Sequence, residues 1–519
     1  MRSVGLRARG HATRAHAGGA EWNTIMQCSG CGAEVDSAVS AVFSCPNAES
    51  CPEQDHVLAP VATVAVDGIG DHAAGTAAEQ DMSVNPFMRY RKMLLSYRVA
   101  RARGMSDDGF VSLVSELDDG LARLDGTGFV KTPLTYDKEL NCWLKNETGN
   151  VAQSHKARHL MGVMIYLRAM RDTGYGAGEP WALERRRLAV ASCGNAGLAA
   201  ATVAAAAGWP IDVCIPPDAS PVIVERLKHL GADVVVCARD TPTAATTHGA
   251  VSTIGEGDPC MLAFKALVQQ RQAIPFSVQG PECGFAQEGG QTLAWEAVEA
   301  AAAAGAGGFA NVYIQVGGGA LGASFVHGMR RAVSGELAAT VDPAISTPAS
   351  MPIIHTVQPT GNAPLARALC AVIDARVAGG TTPANPAHGA TGGGLRLETE
   401  SRGALLHGAS LDRGRFMFPW KAPHSIASGI LDDETYDWLA LCDGMLETGG
   451  STFEVGDDII CEAKQLAEDK VKALVCHTGS AGLAGLLHHR REHEQQQGVG
   501  DTPVTGPDFV ILSGLHRDK

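Results

Sequence analysis

The sequence predicts an α/β protein built on open, mostly parallel twisted sheets flanked by helices. From residue 188 onward, short apolar runs alternate with helix-period stretches, which is the signature of βαβ units with right-handed crossovers. Two of these runs pass directly into glycine-bearing turns that open helices, at Ser192–Gly197 and Gly317–Gly322. The chain has 519 residues, more than one hydrophobic core usually covers, so the pattern is expected to divide into domains.

Composition narrows the class further. Hydrophobic residues make up 45% and charged residues 19%, a globular balance. The formal net charge is -14, and no basic stripe interleaved with aromatics offers a nucleic-acid surface. No apolar run reaches the ~20 residues of a membrane span. The 14 cysteines are scattered, several within strand-like runs, which suits reduced thiols in a cytoplasmic protein.

The elements follow in order. Residues 1–25 carry Arg2, Arg7, Arg9 and Arg14 with only Glu21 as an acid, and read as a disordered extension or a mitochondrial targeting segment. Residues 26–58 hold two cysteine pairs, Cys28/Cys31 and Cys45/Cys51, around a strand-like stretch. Four thiolates in a tetrahedron would make a zinc ribbon; the wide second spacing leaves open a degenerate knuckle that has lost its metal. Residues 59–84 read as a linker. A helix is expected near 108–123, then a turn at Thr132-Pro133, a strand at Leu144, a loop, and a helix from Lys156. Strands are expected at 188–191, 211–215, 233–237, 312–316, 353–357, 472–476 and 508–512. Helices are expected at 222–230, 293–303 and after Gly322, with a long loop over 361–412.

Four features carry chemistry. Lys156 sits at a loop-to-helix junction, a place for a reactive amine or for a first-turn surface lysine. A strand ending in Gly317, Gly318 and Gly319 and opening a helix at Ala320 and Leu321 is an anion cradle, because backbone N–H groups and the helix dipole face the ligand. No acid follows at dinucleotide spacing, which favours a small phosphate ester. Ser192, Cys193, Gly194 and Asn195 form a turn after a strand, and Ser513 ends the last strand. Together they suit pyridoxal 5'-phosphate: a Schiff-base lysine, glycines on phosphate, an amide on the ring hydroxyl and a hydroxyl on the ring nitrogen.

In order and spacing, Ser154-x-Lys156-x-Arg158, Ser192-x-Gly194-Asn195, Gly317–Leu321 and Leu512-Ser513-Gly514 resemble the tryptophan-synthase-β-like (fold type II) pyridoxal-phosphate enzymes, including threonine synthase, threonine and serine dehydratases and cysteine synthase. The resemblance covers about 130 to 519. It implies two sheets, a large cofactor-binding domain (85–187 and 276–519) and a small mobile α/β domain (188–275). It implies Lys156 as the cofactor lysine and catalytic base, with Asn195, Gly317, Gly318, Gly319, Ala320, Leu321 and Ser513 on the cofactor. Ser192, Cys193 and Gly194 would hold the carboxylate of a small amino-acid substrate. Relatives often form homodimers, although no stretch here identifies an interface. A ring nitrogen facing neutral Ser513 favours β/γ-elimination or replacement over transamination.

Within that family, the cysteine knuckles and the ending Ser513–Asp518 resemble threonine synthase, whereas Gln153, Ala157 and Cys193 depart from it. His155 stands in the place of a family aromatic and is assigned to packing, as is the Glu288 stretch. Lys131, Arg158 and Lys421 are the candidates for binding the second phosphate of a phosphorylated substrate. A β-replacement synthase and a non-catalytic cofactor-binding relative are the alternative readings.

Overall fold

The structure is a computed structural model describing residues 22–61, 84–238, 243–246, 249–252, 258–377, 394–496 and 506–517. Most of the expected N-terminal extension and linker lies outside these residues.

Two parallel-rich sheets form the body. The larger has six strands: β4 (Leu134–Asp137), β5 (Cys142–Asn146), β12 (Asn311–Gln315), β13 (Ile353–Pro359), β14 (Thr452–Val455) and β15 (Asp508–Leu512), in the order β14-β13-β12-β15-β5-β4. Only β4 runs antiparallel. The smaller has four parallel strands in the order β11-β6-β7-β8, from β6 (Leu188–Ala191), β7 (Ile211–Ile215), β8 (Asp233–Val236) and β11 (Ile274–Pro275). A two-stranded ribbon pairs β9 (Thr243–Thr246) with β10 (Gly249–Ser252). At the N-terminus β1 (Ile25–Cys28), β2 (Glu34–Asp36) and β3 (Leu58–Pro60) make a small antiparallel sheet.

The strands read as near-continuous apolar runs because helices cover both faces. β7 is buried throughout, as is β15. The helices Lys156–Asp172 and Ala286–Ala303 cross at a glycine contact: a Cβ on Gly289 would lie 1.9 Å from the Arg158 carbonyl oxygen. The expected helix start at Leu293 is therefore too late. Gly289 and Gly290 sit inside the helix and permit close approach rather than breaking it.

Two further expectations are corrected. Residues 472–476 do not form a strand. Lys472 caps the helix Asp457–Val471 in the left-handed conformation, and only Val475 makes an isolated bridge, to Leu515. The sheet position beside β12 is already taken by β15, so this apolar run packs as a helix connection. The 361–412 stretch contains helices Pro364–Val377 and Thr399–Ser410, its alanines and leucines outweighing its glycines; residues 378–393 lie outside the description.

A charge network with no exposed member ties the elements together. Arg158 Nε meets Glu147 Oε2 at 2.8 Å, and Arg158 Nη1 meets Glu296 Oε1 at 2.7 Å. Lys145 Nζ meets Glu296 Oε2 at 2.6 Å. Burial pushes the Glu147 carboxyl up, but Arg158 and Lys145 outweigh it and hold it at about 2. Removing the Arg158 cation leaves buried carboxylates uncompensated. Arg158→Met is expected to lower stability by roughly 3–5 kcal/mol in denaturant unfolding. Since an unfolded glutamate titrates near ~4.3, the contribution of Glu147 is complete above that pH and is lost as pH falls toward 2. Glu147→Gln should therefore flatten the pH dependence of the unfolding free energy between ~4.3 and about 2; an unchanged slope over that range would contradict this origin.

Candidate functional site

The candidate site lies where parallel strands end. In parallel sheets the carboxyl ends share one edge, and ligands bind in the crevice outside it. Glu147 follows β5, the Ser192 turn follows β6, Gly317 follows β12 and Ser513 follows β15.

The lysine loop is pinned to the chain's last strand. Glu147 N donates to Leu512 O, His155 N to Ser513 O, and Ser154 bridges Gly514. Just before the helix, Ala152 (φ 51°) and Gln153 (φ 57°) are left-handed. Each costs energy without glycine's freedom. The strain is countered by Arg517, whose Nη2 donates to Ala152 O at 2.6 Å and whose Nε donates to Gln153 Oε1 at 3.2 Å.

Lys156 opens the helix Lys156–Asp172 and is half-buried. Its amine has no hydrogen-bond or ion-pair partner among the described residues. Burial lowers its pKa, while Asp432 and Asp437 pull the other way. The same two aspartates flank the glycine loop. A Cβ on Gly317 would lie 2.4 Å from Asp432 Oδ2, and one on Gly319 3.1 Å from Asp437 Cβ. Only glycine fits there. Asp437 N donates to Gly318 O, and Thr435 Oγ1 to Gly317 O. Burial pushes Asp432 up and Asp437 up to about 7.

Ser513 Oγ accepts from Gln315 Nε2 at 2.6 Å, which leaves its hydroxyl hydrogen to be donated. Asn195 begins the helix Asn195–Ala206, and its Oδ1 accepts from Arg517 Nη1, joining the Ser192 turn to the lysine loop. In that turn Gly194 N donates to Ser192 Oγ at 3.3 Å, and Cys193 is exposed. Ala320 and Leu321 open the helix Ala320–Val333 directly behind the glycines. His155 is buried, its ring edge-on to His159 and its Nδ1 3.1 Å from Ser513 O.

The chain belongs to the family of pyridoxal-phosphate dependent enzymes, whose model matches residues 127–500. More particularly it is a fold type II member, in keeping with the tryptophan-synthase-β-like pattern of its motifs. No curated protein matches the sequence. Among solved structures it is similar to maize serine racemase (16% identity, TM-score 0.47, covering 78% of this chain and 94% of that one). It is likewise similar to a T.th. threonine deaminase (19% identity, TM-score 0.47, covering 78% and 98%). A third is diaminopropionate ammonia lyase from Escherichia coli (14% identity, TM-score 0.47, covering 78% and 88%).

The residues present fit the cofactor. The amine is unpartnered, the glycine loop has no room for side chains, and a hydroxyl donor stands at the end of β15. One feature was not legible in the sequence. The Asp432 carboxylate stands against the glycine loop, with the Gly318 N–H favouring its charged form against the desolvation that raises its pKa.

The N-terminal cysteines are rearranged. Cys28, Cys31, Cys45 and His56 bring their ligand atoms within 4.8 Å of one another. Cys31 and Cys45 sulfurs are 3.5 Å apart, close to the ~3.8 Å of two thiolates on one tetrahedral zinc. Cys51 is replaced in this set by His56. The Cys51 carbonyl stands 3.0 Å from His56 Nε2, which leaves Nδ1, 3.6 Å from Cys28 Sγ, to face the cluster. The sequence signal was Cys51-x4-His56 just before β3, hidden by the cysteine pairing.

Two outcomes are expected. Asp432→Asn should tighten retention of pyridoxal phosphate by about tenfold, measured by dialysis and absorbance, because it removes a carboxylate from beside the glycine loop; weaker retention would contradict a phosphate role for that loop. Metal analysis should find about one zinc per chain in the parent and in Cys51→Ser, and near none in Cys28→Ser or His56→Ala.

Proposed function

We propose that the chain is a pyridoxal-phosphate-dependent lyase acting on a small amino acid by β/γ-elimination or replacement, of the threonine/serine dehydratase or threonine synthase kind. The observation that carries this reading is the Lys156 amine, unpartnered and with its pKa lowered by burial, in the strand-end crevice. When bound, the cofactor supplies an electron sink for the carbanion formed at the substrate's α-carbon. Lys156 holds the cofactor and moves the α-proton. Its lowered pKa favours the neutral, proton-accepting amine.

The remaining roles follow from the contacts. Ser513, with Gln315 filling its acceptor side, would be the donor to the ring nitrogen; a neutral donor there would leave the nitrogen unprotonated and favour reactions in which a leaving group departs. Asn195, whose Oδ1 is held by Arg517, would keep its amide N–H donors for the ring hydroxyl. Gly317–Leu321 hold the phosphate. Ser192, Cys193 and Gly194 would hold the substrate carboxylate.

The dehydratase form is favoured over one using a phosphorylated substrate. Arg158 is consumed by Glu147 and Glu296, and Lys131 pairs with Glu299 at 2.8 Å. Two of the three candidate bases for a second phosphate are thereby committed. A panel of threonine, serine and O-phosphohomoserine is expected to give ammonia and an oxo acid from threonine or serine. Lys156→Ala should abolish turnover, a loss of at least about 1,000-fold, together with absorbance that survives dialysis. Phosphate release without ammonia would overturn the dehydratase form; a parent protein that cannot be loaded with cofactor would overturn the reading as a whole.

A further inference from the structure

The helix His477–Gln496 packs on the six-stranded sheet and carries His489 and His493 near its end. Residues four apart on a helix share a face, and these two rings meet: His489 Nε2 lies 2.8 Å from His493 Nε2. His489 is half-buried and His493 exposed, so the pair opens to solvent.

His489 is held from the sheet side. Its Nδ1 lies 2.7 Å from Tyr313 Oη, and its ring packs on Phe453 with centroids 4.7 Å apart. Tyr313 belongs to β12, so the ring is fixed to the sheet as well as to its own helix. With Nδ1 giving its hydrogen to Tyr313 Oη, Nε2 keeps a lone pair toward His493. The other imidazoles nearby are committed. Ser451 N donates to His355 Nδ1 at 3.2 Å, and His355 Nε2 stands 3.3 Å from Asn311 Oδ1. His488 Nε2 faces Glu492 Oε1 at 3.2 Å.

We propose that His489 and His493 chelate a divalent transition-metal ion of the nickel(II) or copper(II) class through their two Nε2 atoms, at a site separate from the N-terminal Cys/His cluster. Distance selects the ion. Two nitrogens ~2.0 Å from one ion are ~2.8 Å apart at a right angle and ~3.3 Å apart at the tetrahedral angle. The observed 2.8 Å fits adjacent corners of a square or octahedron, with water completing the shell. It equally fits one shared N–H···N hydrogen bond, so the pair exchanges a proton for an ion without moving either ring. Burial, with His493, His488 and Arg490 nearby, holds the His489 pKa down at about 4, so protons do not compete for its ring near neutral pH. The flanking arginines are neutralised, Arg490 by Asp508 at 2.6 Å and Arg491 by Glu462 at 2.5 Å, which lowers the repulsion an incoming cation meets.

The test titrates the full chain, as purified, with NiCl2 in a non-chelating buffer, reading calorimetric heat and thermal stability while following cofactor absorbance. MgCl2 at equal ionic strength is the control, because magnesium takes oxygen ligands. A saturable nickel site is expected, with no matching response to magnesium. His493→Ala removes one ligand at an exposed position, so the fold and the absorbance should be unchanged while nickel binding weakens by about tenfold or more. His488→Ala, which takes away the adjacent imidazole outside the pair, should bind nickel as the parent does. Four outcomes overturn the proposal: no saturable nickel binding, a site that persists undiminished in His493→Ala and so lies elsewhere in the chain, an equal loss in His488→Ala, or an equal response to magnesium.

Discussion

The buried pairing of Arg158 with Glu147 and Glu296 is the constraint on which the rest of the structure depends. Two cations and two anions meet with none of them exposed to solvent, and Thr132 and Asn150 take up remaining lone pairs and donors. Such a cluster is expensive to assemble and more expensive to break, so its geometry is strongly specified. It joins β5, the loop after it, the lysine helix and the helix Ala286–Ala303. Arg158 is two residues past Lys156, so fixing the guanidinium fixes the first turn of the helix that presents the amine. The sequence candidate for a substrate-phosphate base is thus an internal strut.

The site itself is assembled from chain segments far apart in sequence. The end of β15 pairs with the loop ahead of Lys156, and Arg517 reaches back to Ala152, Gln153 and Asn195. This clamp explains how two consecutive non-glycine residues are held at positive φ. It also connects the four-stranded sheet, through Asn195, to the six-stranded one. The glycine loop is bounded on its other side by residues 430–437, which supply Asp432 and Asp437. The crevice is consequently acidic on one side and electropositive at the helix start, a polarity that composition alone does not reveal.

The N-terminal knuckle is not an independent appendage. Phe43 packs against Tyr166 and Phe285, Gly284 N donates to Phe43 O, and Asp55 receives the Trp438 indole. Trp438 follows Asp437 directly, so the segment that carries the Cys/His cluster abuts the segment that braces the glycine loop. The Cys/His cluster and the glycine loop therefore share a structural boundary.

The sequence by itself determined the α/β class, the parallel strands at 188–191, 211–215, 353–357 and 508–512, the helix from Lys156 and the glycine turn after β12. Those signals are local: apolar periodicity, glycine at a strand-to-helix turn, and a lysine at a helix start. The tertiary structure decided the rest, because the deciding interactions are non-local. Residues 472–476 have strand composition, but the place beside β12 is already filled by β15. Gly289 and Gly290 look like helix breakers until the crossing helix that needs them is in place. His56 outranks Cys51 in the cluster because chain folding, not spacing, sets which atoms converge. Asp432 and Asp437 lie more than 270 residues beyond Lys156, and only packing makes them its electrostatic neighbours.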